Sequence, residues 1–471
     1  MDPKRNKKAV MLAIKLLAGL TAGILIAGIT PPAGLEPASM RFLGIFACVM
    51  IYLLTEALPT YALALLLCSS FVIFKVAPFS MAFGQFASDT MMLLIGALGI
   101  GAGISKSGLL NRVTLNIMQL FPGNFRGQIF AFLTTGTIVG PLIPSSFAKL
   151  AIAAPFGKAV AENLGMDKES KGAAGIFSAV WIAFGNAAPV FLSASVWGYL
   201  VLGLLPSPYK EQFTWGHWLA AAWPWGAVIL AGSYLAIMLL YQPEQELQLS
   251  ADYGKKALNA LGPMTWNEKI TAFIMAIAVI LWVSERIHGI SASLVALCAW
   301  GLMLSFKVLE AQDIKTCIPW DMLIFIGAIL NLAALFSPLK IDSWIGTVAG
   351  PHLEPMTSNI FIFVAGVSLL VYLARFVILS QMATFTVFSV ILIPLALEAG
   401  FNPWIVPFIV LVSSGVWNLY FQNTVFLATL AASGDMTTHK QMTKMSIAYM
   451  LISTLGLWAC IPVWKLLGII P

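Results

Sequence analysis

Runs of about twenty apolar residues recur from one end of this 471-residue chain to the other. A bilayer core about 30 Å thick takes a helix of roughly that length. The chain is 10% charged with a mean hydropathy of +0.90. A soluble domain carries roughly 25% charged residues. So little polar surface cannot cover a soluble fold. The expected class is an all-α polytopic membrane protein. No polar stretch between the runs is long enough to build a soluble domain. The basic start "MDPKRNKK" leads into an apolar run too long for a signal peptide, so a retained first span is expected. Cys48, Cys68, Cys298, Cys317 and Cys460 have no CxxC spacing and are expected as packing residues, not ligands or disulfides. The net charge of +6 records topology and implies no nucleic acid.

About 11 transmembrane helices are expected, at 9–30, 40–55, 60–78, 90–105, 172–204, 217–241, 269–284, 289–306, 321–337, 403–432 and 444–468. Two further apolar segments, about 127–165 and 358–398, are too long for one span and are broken near the middle. Both are expected as re-entrant hairpins, because irregular backbone at membrane depth survives only against protein or a wet cavity. With the N-terminus cytoplasmic, the inner loops collect Lys4, Arg5, Lys7, Lys8, Lys106, Arg112, Arg126, Lys158, Lys168, Lys171, Lys255, Lys256, Lys269, Lys307, Lys315, Lys440 and Lys444. The outer loops hold only Arg41, Lys75, Lys210, Arg286 and Lys340. That asymmetry is the positive-inside pattern and puts the C-terminus outside. A bacterial inner membrane is the expected home.

The two halves, 1–241 and 269–471, are joined by an expected cytoplasmic linker, 242–268, and share words in the same order. "DTMMLLIGAL" from Asp89 matches "DMLIFIGAIL" from Asp321, and "SAVWIAFGNAAPVFL" from Ser178 matches "SGVWNLYFQNTVFL" from Ser414. "KLAIAAP" ending at Pro155 has a counterpart in "SVILIP" ending at Pro394. An inverted-topology repeat is expected, the common plan of secondary transporters, with the site where the repeats meet.

The candidate site residues sit at the interruptions. The first hairpin tip holds Ser145 and Ser146 behind Pro141 and Pro144, with Lys149 one turn further on. A lysine at that depth pairs, snorkels or meets a wet cavity. The second hairpin brings together Arg375, Ser380, Gln381, Thr384 and Thr386. Arg375 suits a carboxylate, or else a structural pair. The interrupted spans carry Gly185, Asn186 and Pro189, and Asn418, Gln422, Asn423 and Thr424. Their amides suit a polar solute, or helix–helix contacts. Glu56, Asp89 and Asp321 fall at span ends, and the two aspartates are expected as helix N-caps. His217, His288, His352 and His439 fall in loops or at interfaces without metal spacing.

On these motifs the chain resembles the divalent anion:sodium symporters, the family of dicarboxylate and citrate carriers and of 2-oxoglutarate/malate translocators. In that family each hairpin tip carries Ser-Asn-Thr or a variant ten residues before a proline. Here Ser145-Ser146-Phe147 stands ten before Pro155 and Thr384-Phe385-Thr386 ten before Pro394. Lys149 stands where the translocator branch often has an arginine. Ser146 and Phe385 replace the tip asparagines, and Phe147 replaces the first threonine.

Together with the residues at the interruptions, the resemblance points to substrate contacts from Ser145, Ser146, Lys149, Asn186, Arg375, Thr384, Thr386, Gln422, Asn423 and Thr424. It implies no cofactor beyond a coupling sodium ion, at Ser145, Ser146, Gly185 and Thr384. It also implies a homodimer whose transport part moves elevator-fashion against a fixed scaffold. The expected function is secondary transport of small anions, most of all di- or tricarboxylates, by sodium symport or anion exchange. A sulfate/sulfonate permease and an anion channel are the alternatives. An enzyme is not expected, since neither H-E-x-x-H nor G-x-S-x-G occurs.

Overall fold

A computed structural model describes residues 3–243, 248–249, 253–345, 347–348, 359–420 and 422–471. His352, Phe421 and parts of the expected linker lie outside the described residues. All regular structure among the described residues is helical. The first half contains α1 (Pro3–Ala27), α2 (Pro37–Thr55), α3 (Thr60–Ile73), α4 (Asp89–Ser107), α5 (Leu109–Met118), α6 (Phe125–Val139), α7 (Ser146–Asn163), α8 (Lys171–Trp181), α9 (Val196–Leu204) and α10 (Trp215–Tyr241). The second contains α11 (Trp266–Val283), α12 (Ala292–Ser305), α13 (Trp320–Ala334), α14 (Ile360–Val377), α15 (Gln381–Glu398), α16 (Ile405–Ser414), α17 (Thr424–Ala432) and α18 (His439–Leu466).

Among the described residues, 9 helices are long and apolar enough to cross a membrane. They include both arms of the second hairpin, α14 and α15. Shorter apolar helices, α3, α12, α13 and α16, fall on other expected spans. The order of elements recurs. A helix (α4, α13) leads to a helical hairpin (α6–α7, α14–α15), and a broken helix (α8–α9, α16–α17) follows.

The first hairpin turns where its prolines demand it. α6 ends at Val139, a short 3₁₀ turn runs Gly140–Leu142, and Ile143 is extended at φ −128°, ψ 112°. Ile143 precedes Pro144, whose ring disfavours the α conformation in the residue before it. Ser145 then caps α7, its hydroxyl accepting from the Ala148 N–H at 3.2 Å.

The second hairpin turns without a proline, and not at Thr384–Thr386. α14 ends at Val377, Ile378 is extended, and Ser380 caps α15 by accepting from the Ala383 N–H at 3.2 Å. Thr384 lies one turn inside α15 and donates its hydroxyl to the Ser380 carbonyl at 3.0 Å. The spacing to Pro394 misplaced the tip because the cap, not the proline, decides where this helix begins. The aspartate caps need a similar correction. Ser88 caps α4, and Asp89 is the first-turn residue, accepting a hydrogen bond from Ser293. Pro319 precedes α13, and Asp321 sits in its first turn.

Both breaks are real. α8 passes into a π-helical turn, Ile182–Asn186, then two short 3₁₀ turns before α9. α16 stops at Ser414, and helix resumes at Thr424. Small residues let these pieces pack closely. Gly136 of α6 lies against the π turn, where a Cβ would stand 2.7 Å from the Ala183 carbonyl oxygen. Gly96, Gly99 and Gly103 form the face of α4 that receives Ala296, Trp300 and Met303 of α12. At the centre, Trp181 and Trp417 meet edge to face with ring centroids 5.5 Å apart, both fully buried. They are the tryptophans of the two matching V-W words.

Candidate functional site

Four helices begin at one place. α7 and α15 follow the two hairpin turns, and α9 and α17 follow the two breaks. A residue at or beside each start lines one cavity of about 60 Å³: Ser146, Gln381, Ser195 and Asn423. Each start leaves backbone N–H groups without an intrahelical acceptor and carries the positive end of the helix dipole. Four such ends around one small cavity favour an anion with no cation among them. At about 10–15 Å³ for each water, the space holds on the order of four to six waters, so it suits a small solute.

The breaks are tied together across the cavity. Asn186 donates from Nδ2 to the Gly415 carbonyl at 3.1 Å, and Gln381 donates from Nε2 to Ser414 Oγ at 3.4 Å. Gly185, Pro189 and Gly415 complete the irregular wall.

The two cations of the hairpins turn away from this cavity. Lys149 is fully buried on α7, and its Nζ donates to the Ala194 carbonyl at 2.9 Å and the Gly140 carbonyl at 3.4 Å. It joins the turn of the first hairpin to the first break. Arg375, also fully buried, ends α14. It donates to the Ile378 carbonyl at 2.9 Å, to the Leu379 carbonyl, and to the Gln422 carbonyl at 2.6 Å. Gln422 returns a bond from Nε2 to the Arg375 carbonyl at 2.6 Å. It joins the turn of the second hairpin to the second break. Neither cation forms an ion pair with a carboxylate among the described residues. Carbonyl oxygens freed by the turns and breaks surround both, and these are oxygens that a hard cation would otherwise seek.

Of the candidate residues, the structure brings Ser146, Asn186 and Asn423 to the cavity, with Gly185. The hydroxyl of Ser145 caps α7, and Asn423 Oδ1 caps α17 by accepting from the Phe426 N–H at 3.1 Å. Lys149, Arg375 and Gln422 brace the wall from behind. Thr384 bonds back along α15, Thr386 is buried within α15 away from the cavity, and Thr424 is exposed. The four residues expected around sodium are therefore not gathered: Ser146 and Gly185 share the cavity, while the hydroxyls of Ser145 and Thr384 are committed to their own helices.

Trp181, Ser195 and Tyr449 line the cavity and were missed. The repeated V-W word marked Trp181, and a serine restarting an apolar run marked Ser195. Tyr449 carried no local signal, since α18 reaches the cavity only through tertiary packing.

Residues 10–470 match the family described as the sodium:sulfate symporter transmembrane region. The chain is 27% identical over 336 residues to dicarboxylate transporter 1 of Spinacia oleracea chloroplasts, covering 70% of this chain and 59% of that protein. It is 27% identical to YflS of Bacillus subtilis, named for malate transport, over 72% of each chain. It is 24% identical to the L-tartrate/succinate antiporter of Shigella dysenteriae, over 72% of this chain and 75% of that one. The crystal structure of the YdaH transporter of Alcanivorax borkumensis aligns over 98% of both chains with a TM-score of 0.59 at 14% identity, a likeness of fold. A match over nearly the whole length, on a fold of paired hairpins and paired broken helices, identifies this chain as a member of the sodium:sulfate symporter family of multi-pass membrane proteins.

Proposed function

We propose that the protein is a secondary transporter that exchanges small dicarboxylates across a bacterial inner membrane by alternating access. One observation carries the reading: four helix N-termini converge on one small cavity that no cation lines among the described residues. The names of the spinach, Bacillus and Shigella relatives point to the same substrate class.

The charge balance favours exchange. The hairpin turns and breaks carry two buried cations, Lys149 and Arg375, formally +2. A bound dianion brings the unit to zero. An empty return would move both charges through a low-dielectric barrier uncompensated, which is costly. The same cations argue against sodium coupling. A sodium ion at the Gly140 and Ala194 carbonyls would stand beside a fixed ammonium, and like charges at such range repel strongly. The two matched halves act in this reading as an inverted repeat. The hairpins and broken helices form the moving part within a homodimer, as the family resemblance implies.

The test is counterflow in proteoliposomes preloaded with unlabelled succinate. Labelled succinate, 2-oxoglutarate and malate should enter saturably. Exclusive uptake of sulfate would replace the substrate class. Unitary currents in a planar bilayer would contradict the carrier itself.

A further inference from the structure

We propose that Ser195 and Trp181 contact the transported anion, as neutral donors to its carboxylate oxygens. This rests on the reading of the chain as an anion carrier, and it states how the cavity recognises a ligand.

Ser195 occupies the N-cap of α9 with extended backbone, φ −157° and ψ 158°. A serine there ordinarily accepts from an N–H of the first turn. The caps of α7, α15 and α17 do so. Ser195 does not: its side chain makes no cap bond, and its buried Oγ has no partner. It lines the cavity beside the free N–H groups at the start of α9.

Trp181 is 1% exposed, and its Nε1 has no acceptor. Three other buried indoles are satisfied: Trp218 donates to Pro189 O, Trp225 to Ser453 Oγ, and Trp464 to Ala221 O. Trp300 and Trp404 also lack acceptors, but neither lines the cavity. Buried donors are nearly always satisfied in folded proteins, so two left over on residues that line one cavity mark the place of an acceptor. With Lys149 and Arg375 turned to carbonyls, these donors meet the anion in place of a cation. The ligand class is a fully ionised carboxylate of a small dianion, whose oxygens accept from hydroxyl, indole and backbone N–H together.

The test compares the full-length protein with Ser195→Ala, Ser195→Thr, Trp181→Phe and, as a control, Ser233→Ala. Ser233 is another buried hydroxyl without a partner, and it does not line the cavity. Two quantities are measured: the KM and Vmax of succinate counterflow, and the rise in melting temperature that succinate produces in detergent. Ser195→Ala and Trp181→Phe should each raise KM on the order of tenfold, as loss of one hydrogen bond to a charged group does. The loss should fall on KM more than on Vmax, and the succinate-induced rise in melting temperature should shrink. Ser195→Thr, which keeps the hydroxyl, and Ser233→Ala should behave as the parent.

Parent KM and parent ligand stabilisation in both Ser195→Ala and Trp181→Phe would overturn the assignment while leaving the carrier reading intact. If Ser195→Ala does not fold, Ser195→Cys takes its place, and a parent KM there overturns the role of Ser195. If the parent moves sulfate and not succinate, the dicarboxylate reading fails. A tenfold rise in KM for sulfate in both variants would then still support the two donors. A parent that moves and binds neither anion removes both readings.

Discussion

Lys149 and Arg375 show how a residue's type and its role come apart. Both were visible in the sequence as charges in apolar surroundings, and both stand at the interruptions. Their direction was not visible, because it depends on which carbonyls the turns leave free. Lys149 reaches from α7 to Gly140 and Ala194, and Arg375 reaches to Ile378, Leu379 and Gln422. Lys149→Met should therefore weaken the join between the first hairpin and the first break. Each lost charged hydrogen bond is worth about 1.5–3 kcal/mol. We expect a fall in melting temperature of several degrees and at least a tenfold loss of counterflow. A loss of transport with unchanged melting would mean instead that Lys149 meets substrate directly. Thr424, which the sequence placed in the site, is exposed. Thr424→Ala should leave succinate KM within about twofold, since surface substitutions away from special features change little. Ser146, Asn186 and Asn423 were legible because amides and hydroxyls have few other reasons to interrupt an apolar run.

At the scale of elements, the turn of the first hairpin was legible because prolines mark it. The second was placed four residues late because it turns on a serine cap, and Ser380 had no proline beside it to mark it. The breaks were legible at both ends, from Gly185 and Pro189 in one and from the amides in the other. What the sequence does not carry is the fit between elements. Gly136→Val would drive a side chain into the backbone of the π turn at Ala183. Overpacking of this kind costs about 1–3 kcal/mol, and here it also forces the first hairpin off the first break. A lower melting temperature together with lost counterflow is expected. A second pin lies away from the cavity. Arg112 of α5 holds Glu268 of α11 through Nε at 2.8 Å and Nη2 at 3.2 Å, with both side chains largely buried. Glu268→Ala leaves the guanidinium without a carboxylate, held only by the Gly262 and Pro263 carbonyls. Breaking such a pair costs about 3–5 kcal/mol, measurable in thermal unfolding. Substituting both partners with apolar residues should recover most of that loss.

At the scale of the molecule, the membrane class and the recurring order of elements followed from apolar length, interruption and recurring words. The convergence of four helix starts did not, because it needs the three-dimensional meeting of segments some 280 residues apart, from Ser146 to Asn423. That convergence and the two braced cations make one electrical unit. Exchange of one dicarboxylate dianion for another moves no net charge. Homoexchange of succinate should therefore ignore an imposed membrane potential, and an acceleration on either polarity would show that charge is carried. In this reading the fixed cations stand in for a coupling ion, so sodium has no part in transport. Labelled succinate uptake is followed in sodium-free proteoliposomes, with and without unlabelled succinate inside. Rapid uptake is expected with internal succinate and almost none without it, in both cases unchanged by added sodium. Uptake that requires a sodium gradient and proceeds into empty vesicles would contradict this reading.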